Sequence, residues 1–157
     1  MLDWQRQRHN SAMCSHCNGF RLQRRAWLVA AAAVAAPASF SALAAGGVTL
    51  AEAMRRAEAL RDQAVRDGDQ AYGAVVLRRG SIVGAAPSRV VTVNDATAHA
   101  EMEALRYAAR QLCSRDLAGC ILVSTSRPCR MCESAAAWAG ISRMVFGETL
   151  TDAGPPR

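Results

Sequence analysis

Apolar residues recur three or four positions apart at Leu50, Ala53, Met54, Ala57, Leu60, Ala64 and Val65, with arginine and glutamate filling much of the space between them. That spacing predicts an amphipathic helix from Leu50 to Val65, stopped by Asp67-Gly68-Asp69. The pattern then shortens. Gly73 to Leu77 and Ile82 to Ala86 are brief apolar runs around Arg78-Arg79-Gly80-Ser81, which reads as a β-hairpin. Pro87 to Asn94 is a connection, after which Asp95 or Thr97 can cap a helix running to about Leu112, with Met102, Leu105, Ala108, Ala109 and Leu112 as its apolar positions. Asp116 to Gly119 closes a loop, and Cys120 to Ser124 is a continuous apolar strand suited to burial on both faces. A third helix from Pro128 or Cys129 runs to Ala139, and Arg143 to Gly147 is the last strand. Helix, strand, helix, strand after a hairpin predicts an α/β domain with parallel pairing and helices on the sheet faces. A ligand site then belongs at strand ends, near helix N-termini.

The first 44 residues follow another pattern. Arg24-Arg25 precede an uncharged, alanine-rich run from Leu28 to Phe40 that ends in Ala42-Leu43-Ala44. A basic region, a short apolar region and an A-x-A site together read as a signal peptide, and the paired arginines suggest the twin-arginine type. Pro37 interrupts the run, which is too short to span a bilayer comfortably, so no stable membrane anchor is expected after cleavage at Ala44. The expected organisation is a signal at 1–44 and a domain at 45–157, with a periplasmic or secreted product; a misassigned start would leave it cytoplasmic.

Removing that segment changes the charge. The chain carries +6, but beyond Ala44 there are 14 arginines and 12 acids, a net +2. Such a domain lacks the clustered basic face expected of a nucleic-acid binder. Cys14-Ser15-His16-Cys17 has ligand-like spacing but lies upstream of the apolar run, without the context that confirms a motif.

The chemistry concentrates at His99-Ala100-Glu101 and Pro128-Cys129-Arg130-Met131-Cys132. A catalytic zinc ion takes three protein ligands and leaves a fourth position for water, whose pKa it lowers to about 7. His99, Cys129 and Cys132 fit the three places. Cysteines at i and i+3 lie on one helix face, and a helix start favours the thiolate form. Glu101 is close by without being a ligand, where a general acid/base belongs. His99 is also the only histidine after residue 44. Cys129 and Cys132 have a second reading, as a disulfide or redox pair in an oxidising compartment.

H-x-E followed by P-C-x-x-C is the signature of zinc deaminases. Asn94 to Met102 and Arg127 to Cys132, with Trp138-Ala139 and Val145-Phe146-Gly147, resemble the cytidine/deoxycytidylate deaminase superfamily, and within it the guanine deaminase and tRNA adenosine deaminase branch. The resemblance covers about Val48 to Gly147. It implies a three-layer α/β/α fold with a mixed sheet, a Zn2+ cofactor, a small nucleobase or nucleoside substrate with guanine preferred, and a homodimer. It also implies hydrolytic release of ammonia, with Glu101 taking the proton of the attacking water and the same carboxyl then protonating, in turn, a ring nitrogen and the departing amine. Backbone amides near Ala100 and Cys129 are placed to hold the oxygen, and Ser88, Arg89 and Asn94 to face substrate.

Several positions depart from the family. Ser88 stands where the family usually has an asparagine, and a hydroxyl offers less than an amide. Arg127 and Arg130 replace an acidic residue and a small one; they are either solvated charges or anchors for an anionic nucleotide. Trp138 is either core or an aromatic near the base pocket. Cys113 and Cys120 read as core or loop thiols, with pairing as an alternative. The C-terminus looks shortened, lacking a further helix and a fifth strand, which a partner subunit could replace. With these departures a non-catalytic, zinc-stabilised deaminase-like domain is the alternative to the enzyme. Glu101 argues against it, because a structural site has no use for that carboxylate.

Overall fold

The computed structural model describes residues 47–157. The segment read as a signal peptide and the Cys14–Cys17 motif lie outside these residues. Three helices and five strands follow in the order α1 (Leu50–Arg66), β1 (Gly73–Arg78), β2 (Ser81–Pro87), α2 (Ala100–Leu112), β3 (Cys120–Ser124), α3 (Arg130–Trp138), β4 (Arg143–Phe146) and β5 (Thr151–Gly154). The strands form one mixed sheet in the order β2-β1-β3-β4-β5. Within it β1 is antiparallel to both β2 and β3, β3 is parallel to β4, and β5 is antiparallel to β4. Among the described residues no helix is long and apolar enough to cross a membrane.

Local chemistry explains the boundaries. Thr49 and Glu52 form a reciprocal capping box at the start of α1, satisfying amides that have no intrahelical partner. Arg79 and Gly80 both adopt positive φ, the two-residue turn whose twist matches that of the flanking strands. Alternation along β1 sorts the core. Val75 packs with Ala53, Met54, Ala57 and Leu60 of α1 and with Val123. Ala74 and Val76 face the opposite way, into a cluster with Ala104, Leu105 and Ala108 of α2, Ala136 of α3, Leu122 and Met144. The result is α1 on one face and α2 with α3 on the other, the expected three layers.

Some expectations need correction. Neither Asp95 nor Thr97 caps α2: the Asp95 carboxylate accepts bonds from the amide and hydroxyl of Thr97 two residues on, and His99 is itself the N-cap residue. Cys129 is likewise the N-cap of α3. Val65 is 56% exposed, off the buried stripe of α1. Cys120 is a buried free thiol, so it does not pair with Cys113. A fifth strand is present, tied to β4 by the Arg143–Asp152 ion pair at 2.7 Å and by its ladder, so Arg143 to Gly147 is not the last strand.

Candidate metal centre and substrate cavity

β2 and β3 flank β1 and run parallel to each other, so their C-terminal ends emerge at the same edge of the sheet. The chain leaving β2 enters α2 and the chain leaving β3 enters α3, which brings both helix starts to that edge. His99 and Cys129, as N-cap residues in extended backbone conformation, meet there, and neither side chain makes a capping hydrogen bond. Cys132, one turn into α3, completes a triangle. His99 Nδ1 to Cys129 Sγ, His99 Nδ1 to Cys132 Sγ and Cys129 Sγ to Cys132 Sγ are each 3.7 Å. Tetrahedral zinc, about 2.3 Å from sulfur and about 2.0–2.1 Å from nitrogen, requires donors about 3.5–3.8 Å apart. The three side chains fit that ion.

Glu101 is buried, 5% exposed, in the first turn of α2. Desolvation raises its pKa, opposed by a hydrogen bond from its own backbone amide, by the His99 charge and by the Cys132 thiol. A carboxylate whose charged form is made less comfortable by burial is a stronger base than one in water, which suits it to taking and returning a proton. Burial, the Glu101 carboxylate and Cys129 also push the Cys132 thiol above the ordinary range, against the helix-start field expected to favour its thiolate. A cation's charge is then what makes the thiolate stable, so metal binding there displaces a proton.

Two of the donors, His99 and Cys129, border a cavity of about 270 Å³ that is also lined by Gln70, Tyr72, Glu101, Ser126 and Arg127; Cys132 lies buried behind them. That volume is near the lower end of ligand pockets, about 300–1,000 Å³. Arg127 also borders a second cavity, of about 270 Å³, together with Pro128, Glu133, Met144, Phe146 and Asp152.

The structure thus brings together His99, Glu101, Cys129, Cys132 and Arg127. It does not bring in the remaining sequence candidates. Ser88 is buried and donates its hydroxyl to Asp69 Oδ1 at 2.8 Å. Asn94 is exposed, with a φ of 52°, in the loop before α2. Ala100 is fully buried as the first residue of α2, where its amide belongs to the turn that no intrahelical carbonyl satisfies. Arg130 is exposed and borders neither cavity. Trp138 is neither core nor pocket, at 91% exposure near the end of α3.

Three further residues at the site, Asp69, Gln70 and Tyr72, lie outside the sequence motifs that point to it. The carboxylate of Asp69 accepts from the Gln70 amide, the Ser88 hydroxyl, the Val91 amide and both the amide and hydroxyl of Thr92, at 2.8–3.0 Å. It thereby ties the α1–β1 loop to the connection that delivers His99. The only sequence signal was its place in Asp67-Gly68-Asp69, which reads equally as a helix stop.

Residues 48–148 match the cytidine and deoxycytidylate deaminase zinc-binding region. The guanine deaminase of Bacillus subtilis is 37% identical over 64% of this chain and 65% of its own length. Its crystal structure superposes with a TM-score of 0.57 at 38% identity, covering 60% of each chain. The tRNA-specific adenosine deaminase of Aquifex aeolicus is 38% identical over 56% of this chain and 60% of its own. The guanine deaminase of Nitrosomonas europaea superposes with a TM-score of 0.60 at 29% identity, over 63% of this chain and 58% of that one. This chain therefore spans about three-fifths of these relatives. It belongs to the cytidine and deoxycytidylate deaminase family.

Proposed function

We propose that this member of the cytidine and deoxycytidylate deaminase family is a zinc-dependent hydrolytic deaminase of a free nucleobase or nucleoside, with guanine as the preferred substrate. The observation that carries the reading is Glu101, a buried carboxyl with a raised pKa, beside three metal donors whose spacing suits zinc and inside a cavity of base-like size. Zinc, when bound, supplies a Lewis acid that acidifies water. His99, Cys129 and Cys132 hold the ion. Glu101 accepts one proton of the attacking water and gives it to a ring nitrogen, then takes the proton of the hydroxyl added to the carbon and gives it to the departing amine, so that base and water become the oxo-base and ammonia. Guanine is favoured by the two guanine deaminase relatives. A small cavity and the net charge of +2 on residues 45–157 disfavour a tRNA substrate.

The test is ammonia release by zinc-loaded protein against guanine, adenine, cytosine and their nucleosides and nucleotides. Glu101→Gln is expected to retain zinc and lose about 10²- to 10⁴-fold in kcat. No turnover by the native protein with zinc bound would sink this reading in favour of the non-catalytic one. A second substrate class has one observation behind it, because Arg127 borders both the catalytic cavity and its neighbour. A nucleotide whose phosphate lies in the second cavity would make Arg127→Ala costlier for the nucleotide than for the base; equal losses exclude that arrangement.

A further inference from the structure

We propose that Gln70 is a specificity-determining residue that reads a donor–acceptor edge of the base, with Tyr72 as the aromatic surface beside it. This assignment rests on the deaminase reading above. Among the side chains bordering the cavity, His99 and Cys129 are committed to the metal and Glu101 to proton transfer. Arg127 has only donors and Ser126 a single hydroxyl. Gln70 alone among them carries a planar amide, an acceptor beside a donor pair.

The backbone presenting that amide is fixed. The Gln70 N–H donates to Asp69 Oδ1 at 2.8 Å, and its carbonyl accepts from the Tyr72 N–H at 2.7 Å. The Tyr72 carbonyl accepts from the Ser88 N–H at 2.9 Å, and Gly73 is paired with Thr125 through both its carbonyl and its N–H. Because β1 starts where β2 and β3 end, these bonds hold the segment 70–73 between the two strand exits that lead to His99 and Cys129. The Gln70 side chain, by contrast, makes no hydrogen bond among the described residues. The amide is thus an uncommitted group on an exposed side chain at the cavity wall, carried by a backbone that does not have to move to present it. Tyr72 is 44% exposed and borders the same cavity, so a base can lie against its ring, as bases do on aromatic faces.

An amide pairs with adjacent donor and acceptor atoms on a base edge. Guanine, with its 2-amino group turned towards Glu101, still offers the lactam N–H and carbonyl side by side. Turned likewise, adenine presents N1 and C2–H on the corresponding edge and cytosine presents N3 and the C2 carbonyl, so neither offers a donor beside an acceptor there. Gln70 therefore favours guanine. A site built to hydrogen-bond its substrate discriminates by leaving its own polar group unpaired when the wrong base enters.

The experiment measures Kd by calorimetry for guanine, adenine and cytosine in the zinc-loaded full chain carrying Glu101→Gln, which prevents turnover, with and without Gln70→Ala and Gln70→Glu. Gln70→Ala is expected to weaken guanine about three- to tenfold, the worth of one net hydrogen bond, and to leave adenine and cytosine nearly unchanged. Gln70→Glu, which keeps the shape and loses the donors, should impair guanine at least as much. Zinc content and far-UV circular dichroism should match the parent. Equal losses for all three bases, or no loss, would overturn the assignment while leaving the deaminase reading intact. Failure of the parent to bind any of the bases would overturn both.

Discussion

Gly84 is the position where adding one methyl group tests the coupling of fold to site. It lies in β2 opposite Val76, against the middle of α2. A Cβ built on it would be 2.4 Å from the Ala104 carbonyl oxygen, 2.9 Å from Ala108 Cβ and 3.0 Å from Ala108 N. The methyl group would press on the helical hydrogen bond between Ala108 and Ala104. Relief to ordinary contact at about 3.5 Å needs α2 or β2 to retreat by about 1 Å. Overpacking of this kind costs about 1–3 kcal/mol, which in a domain of roughly 100 residues lowers Tm by about 4–8 °C per kcal/mol. Because α2 carries His99 at its N-cap, the same retreat displaces one vertex of a donor triangle whose edges are 3.7 Å. Ligand distances tolerate only about 0.2 Å, so zinc affinity falls along with stability. Gly84→Ala is therefore expected to lower Tm and the bound-zinc stoichiometry together, read by thermal denaturation and metal analysis of the same preparation. An unchanged Tm with full zinc content would refute the reasoning.

Two further substitutions probe a half-buried anchor beside the site and an exposed residue away from it. Loss of hydration raises the Asp69 pKa, but hydrogen bonds from the Thr92 amide, the Ser88 hydroxyl, the Gln70 amide and the Thr92 hydroxyl outweigh it and hold the carboxyl well below the usual range. The unfolded chain binds more protons than the native one in that window, so the stabilisation is present above the unfolded aspartate pKa of about 3.9 and is lost as pH falls through it towards the native value. Asp69→Asn should make the acid-side loss shallower in urea titrations at stepped pH; an identical slope would contradict this origin. Trp138, 91% exposed, should tolerate Trp138→Ser within about 0.5 kcal/mol, and a large drop in Tm would show that the residue is covered.

The elements easiest to find in the sequence were those whose burial leaves a period. The stripe of α1, the hairpin around Arg79-Gly80 and the doubly buried β3 all declared themselves through spacing, and the metal donors through their local motifs. β5 left no period, because Thr151, Asp152 and Ala153 are all exposed; a backbone ladder and one ion pair hold it, and neither marks the hydrophobic pattern. Trp138 misled for a related reason. Apart from Cys132, α3 buries only Ala136 fully, and a residue two positions further on lies about 200° around the helix, so an alanine-rich sequence does not show which side faces the core. Gln70 and Tyr72 were hidden by topology. They border the cavity because β1 is antiparallel to both neighbours and starts where they end, a fact of pairing that no local pattern encodes.

The two N-caps carry the argument from fold to function one step further. His99 and Cys129 occupy positions where serine, threonine, asparagine or aspartate would satisfy a first-turn amide, and neither does so. An N-cap side chain of that kind is worth about 0.5–2 kcal/mol. Both helices forgo it while their first residues converge on one point, so the metal site is built at the expense of helix capping, and a bound cation near the two starts returns stability by mass action. The trade-off is testable without any substrate. His99→Asn installs a good cap and removes a ligand, so in chelator-treated protein it should raise the free energy of unfolding by about 0.5–2 kcal/mol. Zinc should then no longer raise the urea midpoint of the variant as it does that of the parent. If His99→Asn instead destabilises the chelator-treated protein, the imidazole is supporting the fold without metal, and the helix starts are not held open for an ion.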